Sequence, residues 1–316
     1  MLSLWGLDGD SATDGGGRPD MTTRGVDAVL AHLAKLPPQE SLTLAEQRAQ
    51  YERAERAFPV PADVTVERVT APVAPAEWLA PPSARADIVV LYLHGGGYVI
   101  GSPRSHRHLA AAIARATRAR ALVLDYHLAP EHPFPSALED AVAAYRWLLA
   151  QGQAPASLVI AGDSAGGGLT VATLVALREL GVPLPAAGVC ISPWVDLTCS
   201  APSYATNAAA DPIVRPAIVA EMARAYLAGA DPKTPLASPR FADLSGLPPL
   251  LIHVGRDEVL LDDATGLAEC LKVAGVAARL EIVPRMVHVW HWFLPMLDEA
   301  QTAVDEIGAF VNAHVG

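Results

Sequence analysis

From residue 62 onward, short apolar runs alternate with longer amphipathic stretches. The runs are Val64-Thr65-Val66, Ile88 to Leu93, Ala121 to Leu124, Leu158 to Ile160, Val189 to Ile191, Leu250 to Val254 and Leu280 to Val283. They are short for helices and, for the most part, too continuously apolar for strands wetted on one face. Helix-period stretches at 106–118, 136–150, 166–181 and 262–275 separate them. This alternation predicts an α/β fold whose mostly parallel central sheet is covered by helices on both faces, with ligands bound at the carboxyl ends of the strands.

Two regions break the alternation. Residues 24–36 and 43–57 carry apolar positions at helical spacing (Val26, Val29, Leu30 and Leu33; Leu44, Ala49 and Ala54), interrupted by Pro37-Pro38. Residues 200–240 hold Pro212, Pro216 and a helical stretch from Arg215 to Leu227 between two strands. The organisation expected is a helical cap segment over 21–60, a cap insertion over 200–240, and a main α/β domain formed by 61–199 with 241–316. Periodicity alone fits a plain structural connection at 200–240 equally well. Residues 1–20, with Gly15-Gly16-Gly17, read as a disordered leader. They lack the cationic start and long apolar core of a secretory signal, and Met21 offers a second start.

Composition narrows the function classes. Half of the 316 residues are hydrophobic, enough for a large core, while a formal charge of −11 disfavours nucleic acid and anionic membrane surfaces. No run of about twenty apolar residues is present to span a bilayer, which predicts a soluble protein without stable membrane insertion. Cys190, Cys199 and Cys270 are odd in number and lack metal-ligand spacing, so neither a disulfide framework nor a metal is expected and a cytoplasmic location fits.

The candidate chemistry begins at Gly162-Asp163-Ser164-Ala165-Gly166, where an apolar strand runs into a serine among small residues and then into a helix. Such a turn exposes a strained serine hydroxyl as a nucleophile, although a helix start capped by Ser164 also fits. Strand 88–93 ends in His94-Gly95-Gly96-Gly97, whose glycines allow backbone amides to approach a developing oxyanion. A nucleotide-binding loop is the competing reading, but its Gly-x-Gly-x-x-x-Gly spacing is loose and leaves Ser164 unexplained. A nucleophilic serine needs a base and a carboxylate, in the chain order Ser, Asp or Glu, His. Asp257 and His288 each lie just past a strand and fill these places. Asp262 and Asp263 are rivals placed to cap the next helix; His291 and His253 read as packed structural histidines.

Taken in order, the motifs resemble those of the bacterial hormone-sensitive-lipase-like (family IV) carboxylesterases, a branch of the α/β-hydrolases. They are His94-Gly95-Gly96-Gly97, Tyr126-His127-Leu128-Ala129-Pro130-Glu131, Gly162 to Gly167, Ser192-Pro193-Trp194-Val195-Asp196-Leu197 and the acidic segment Asp257 to Asp263. The likeness runs from about residue 25 to the end. It implies Ser164 as nucleophile, His288 as general base and acid, Asp257 as the carboxylate, and the amides of Gly96, Gly97 and Ala165 as oxyanion hole. It further implies short- to medium-chain ester substrates, no cofactor and a homodimer, with Asp163, Asp196 and Glu131 as supports near the cleft. The segment after Asp257 reads Glu-Val-Leu-Leu-Asp-Asp where Pro-Leu-x-Asp-Glu is frequent, leaving open which acid orients His288. His127 stands where the family usually has arginine. Lactone or amide hydrolysis would use the same groups, and the fold also serves non-catalytic ligand receptors. Met222, Tyr226, Trp290, Trp292 and Phe293 are candidates for the pocket wall, or for core.

Overall fold

The computed structural model describes residues 24–35, 42–70 and 74–316, so the expected leader lies outside the described residues. Eight strands form one sheet: β1 (Thr65–Thr70), β2 (Pro75–Ala80), β3 (Val89–Leu93), β4 (Arg120–Leu124), β5 (Leu158–Asp163), β6 (Ala187–Ile191), β7 (Leu250–Gly255) and β8 (Ala278–Val283). They lie in the order β1-β2-β4-β3-β5-β6-β7-β8. From β4 to β8 every pairing is parallel, whereas β2 runs antiparallel to both β1 and β4. β2 escapes the apolar-run reading because it holds Pro75, Glu77 and Trp78 among alanines. Its pairing with two neighbours fixes it, and buried Glu77 receives two hydrogen bonds of 2.6 Å from Arg107.

The helices are α1 (Val26–Leu33), α2 (Leu44–Glu52), α3 (Ala54–Ala57), α4 (Pro103–Thr117), α5 (Ser136–Ala150), α6 (Ala165–Glu179), α7 (Ser203–Thr206), α8 (Pro216–Leu227), α9 (Leu261–Val273) and α10 (Asp298–His314). α4 begins three residues before the expected 106. Ser102 caps it by accepting from the amides of Arg104 and Ser105, and Pro103 suits the first turn, where its missing N–H costs nothing. α6 is buried along Ala165 to Leu177. A helix apolar all round belongs to the core, and α6 roots the serine turn there.

The crossovers create the site. From β3 the chain moves through α4 to β4 on one side, then returns past β3 to place β5 on the other. The order of strand addition reverses between parallel β3 and β5, the kind of switch point at which a crevice forms above the carboxyl ends of the strands. Register sets those ends level: Leu93 pairs with Gly162, Asp163 with Ile191, and Ile191 with His253. The segments beginning at His94, Ser164 and Ser192 therefore emerge side by side.

Candidate active site

Ser164 sits between β5 and α6 with φ 54° and ψ −121°, a conformation that costs a non-glycine residue roughly 1–3 kcal/mol. The surroundings hold it there. Its amide donates to Ile191 O at 2.8 Å, and its carbonyl accepts from Trp194 N at 2.9 Å and Gly168 N at 3.1 Å. Small neighbours are required because α6 starts against β3: a Cβ at Gly166 would collide with Leu93 O.

The loop after β3 lies across this turn. Gly96 and Gly97 have φ of 111° and 63°, and a Cβ on Gly97 would collide with Met222 Sδ from α8. Among the described residues, no hydrogen bond occupies the amides of Gly96, Gly97 or Ala165. The neighbouring amide of Gly95 does have partners. It lies 3.1 Å from Asp163 Oδ1 and 3.2 Å from His106 Nε2, and the same carboxylate oxygen accepts from the Tyr92 hydroxyl at 2.7 Å. Burial pushes the Asp163 carboxyl up, but the imidazole of His106 and the Tyr92 hydroxyl outweigh it and leave it below the usual range. Arg48 of α2 secures the far side of the loop, donating to Val99 O, to Ala129 O and, through two nitrogens, to Glu131. That pairing draws the Glu131 carboxyl down to about 2.

Asp163 thus ties the serine turn to the glycine loop. Asp163→Ala is expected to lower kcat about 10²-fold, as does losing an oxyanion donor, with a stability loss of about 3 kcal/mol from unpaired buried groups. Steady-state kinetics beside urea unfolding checks both.

The structure brings Glu258, and not Asp257, to His288. Nδ1 of His288 donates to Glu258 Oε2 at 2.8 Å, while Glu258 Oε1 accepts from Ser192 Oγ at 2.8 Å and from Gly255 N at 2.5 Å. Both side chains are buried, whereas Asp257 is half-exposed. The reason is the turn out of β7. It bends back so that the Glu258 amide donates to Gly255 O, turning Glu258 inward and leaving its predecessor outside. Desolvation raises the Glu258 carboxyl, opposed by the hydrogen bond from His288. Ser192 completes the support, accepting from the amide of Val289 at 3.1 Å and thus bracing both partners. His288 Nε2 is buried without a hydrogen-bond partner.

The rival residues are engaged elsewhere. Asp262 accepts from Ser203 N at 2.8 Å, and buried Asp263 accepts from the amides of Val195 and Asp196. Neither caps α9. Burial lifts the Asp263 carboxyl to about 7. His253 and His291 meet through Nδ1 and Nε2 at 3.0 Å, and burial lowers both.

Comparison with known proteins agrees with this geometry. A family model described as the alpha/beta hydrolase fold matches residues 90–292. An acetyl-hydrolase from Streptomyces hygroscopicus is 51% identical over 275 residues, covering 85% of this chain and 90% of that protein. A crystal structure of an esterase from the bacterial hormone-sensitive lipase family superposes with a TM-score of 0.89 at 51% identity, over 92% of this chain and 98% of the other. The chain belongs to the hormone-sensitive-lipase-like α/β-hydrolases. A carboxylesterase/phospholipase of Mycobacterium tuberculosis is more distant, 36% identical over 256 residues, 77% of this chain and 68% of that protein.

The family's acidic motif can be laid on this segment in a frame that agrees with the geometry. When Val259-Leu260 is matched to the frequent Pro-Leu and Asp262-Asp263 to Asp-Glu, the leading acid becomes Glu258. That frame was available in the sequence. Ser192 belongs to the Ser-Pro-Trp-Val-Asp-Leu motif, but its role is not local: the two hydrogen bonds of its hydroxyl join residues 66 and 97 positions away. No helix among the described residues is long and apolar enough to cross a membrane.

Proposed function

We propose that Ser164, His288 and Glu258 form the catalytic triad with which this carboxylesterase hydrolyses short- to medium-chain esters. The observation that carries the assignment is His288: one ring nitrogen is bound to a buried carboxylate and the other is left free. In the proposed cycle Nε2 takes the Ser164 proton as Oγ attacks the ester carbonyl, and Glu258 stabilises the imidazolium that forms. The unoccupied amides of Gly96, Gly97 and Ala165 receive the oxyanion, each donor contributing about 3 kcal/mol. His288 then protonates the departing alcohol. Water repeats the sequence on the acyl-enzyme and releases the acid.

A cavity of about 500 Å³ beside this loop is lined by Leu42, Leu44, Val99, Ile218, Met222 and Ala225, among others. We assign the acyl chain to it. Met222 lines the cavity and its sulfur packs on Gly97, so it borders both the cavity and one of the proposed oxyanion amides. Met222→Ala is expected to raise the octanoate-to-butyrate ratio of kcat/KM about tenfold, the scale of a few added apolar contacts. A p-nitrophenyl ester series measures it, and an unchanged ratio would place the acyl chain elsewhere.

A further inference from the structure

The turn that carries Glu258 is stitched to the insertion between β6 and β7. Ser203 Oγ donates to Val259 O at 2.6 Å, and Asn207 Nδ2 donates to Arg256 O at 3.1 Å and Glu258 O at 2.8 Å. These neutral groups satisfy carbonyls. The amide of Val259 donates instead to Asp211, whose Oδ2 accepts it at 2.8 Å while Oδ1 accepts from Ile213 N at 2.8 Å and Val214 N at 2.9 Å.

Asp211 is 2% exposed and, among the described residues, has no arginine or lysine partner. All three of its hydrogen bonds come from N–H donors, so both oxygens accept, an arrangement that favours the ionised form against the cost of burial. A buried charge without a cation is costly, and a neutral acceptor could have held these amides. Burial raises the Asp211 carboxyl, and what opposes the rise is its electrostatic coupling to His288 together with the three amide donors; Glu258 is coupled to the same group. Ile213, oriented by Asp211, lines a small void with His288, Asp163, Tyr51 and Trp292.

We propose that Asp211 is a second carboxylate serving His288: it pins the turn bearing Glu258, and its charge stabilises the imidazolium formed as Ser164 attacks. Asp211 is a positioning residue that touches neither nucleophile nor substrate, and the inference rests on the triad assigned above. The titratable groups around His288 are Glu258 from the β7 turn, Asp211 from the insertion, Asp163 with its partner His106, and Tyr51 from α2. Asp211→Asn removes one of the negative charges facing the imidazolium formed during attack, while its amide oxygen can still accept from part of the same set of N–H donors.

The test is the acidic limb of kcat/KM against pH for a p-nitrophenyl ester, which reports the free enzyme's base. Asp211→Asn is expected to move that limb to lower pH by about one unit and to lower kcat about tenfold, since one pKa unit is worth a factor of ten. Asp211→Glu, which keeps the charge, should return the limb to its wild-type position. A limb in Asp211→Asn that coincides with wild type overturns the proposal, as does one in Asp211→Glu that stays shifted. Asp211→Ser supplies a second neutral variant; if neither neutral variant folds, the role is structural and the proposal falls. Hydrolysis persisting in Ser164→Ala would instead defeat the triad itself, so the two failures are distinguishable.

Discussion

Ser164→Ala is expected to lower kcat by a factor on the order of 10⁶ without loss of folded structure. A loss this large follows because the base, its carboxylate and the oxyanion donors act through the one hydroxyl. Once it is gone they retain nothing to activate, and only binding and the amides continue to favour hydrolysis. The fold should tolerate the change. Ser164 makes its three turn-setting hydrogen bonds through its backbone, and its side chain caps no helix. Removing the hydroxyl leaves the positive φ to be supported by the same contacts. A variant retaining more than a thousandth of wild-type turnover, with an unchanged circular dichroism spectrum, would refute the assignment of Ser164 as nucleophile.

Glu258→Gln and Asp257→Asn form the second decisive pair, and they are expected to diverge by about four orders of magnitude. A glutamine at 258 can still meet His288, but its amide allows the ring to bind in the wrong tautomer and offers no charge to the imidazolium. The corresponding change in a serine protease triad costs about 10⁴ in kcat. Ser192 Oγ and Gly255 N would also face a neutral group where both now donate to a carboxylate. Asp257, half-exposed and turned away from His288, should tolerate asparagine with turnover within about twofold of wild type, the ordinary range for a surface substitution. Equal losses in the two variants, or the larger loss at 257, would return the carboxylate role to Asp257. Single-turnover measurements with p-nitrophenyl acetate would separate acylation from deacylation in Glu258→Gln, and both steps should slow because His288 serves each.

Much of this protein is determined by its sequence alone. Strands such as Val89–Leu93 and Leu158–Asp163 are legible because burial on both faces requires nearly continuous apolar residues. The serine turn is legible because the close approach of α6 to β3 excludes side chains, which leaves a run of small residues around Ser164. The order of serine, acid and histidine is likewise a property of the chain. β2 is less visible, since its stability comes from pairing on both edges rather than from its own residues.

Local pattern left Asp257 and Glu258 as neighbours of equal standing, separated only by the family's motif frame, and it is the tertiary structure that brings Glu258 to His288. Adjacent acids in a turn have nearly the same sequence context, and the direction in which each points depends on how the chain folds back on Gly255. The same holds for the supports of the site. Asp163 acts on Gly95 from 68 positions away, Ser192 on Glu258 from 66, and Asp211 on Val259 from 48. Local pattern records what a segment needs in order to become a strand, helix or turn. Which polar atoms meet across the crevice is set by strand order and register, through contacts that no local pattern encodes.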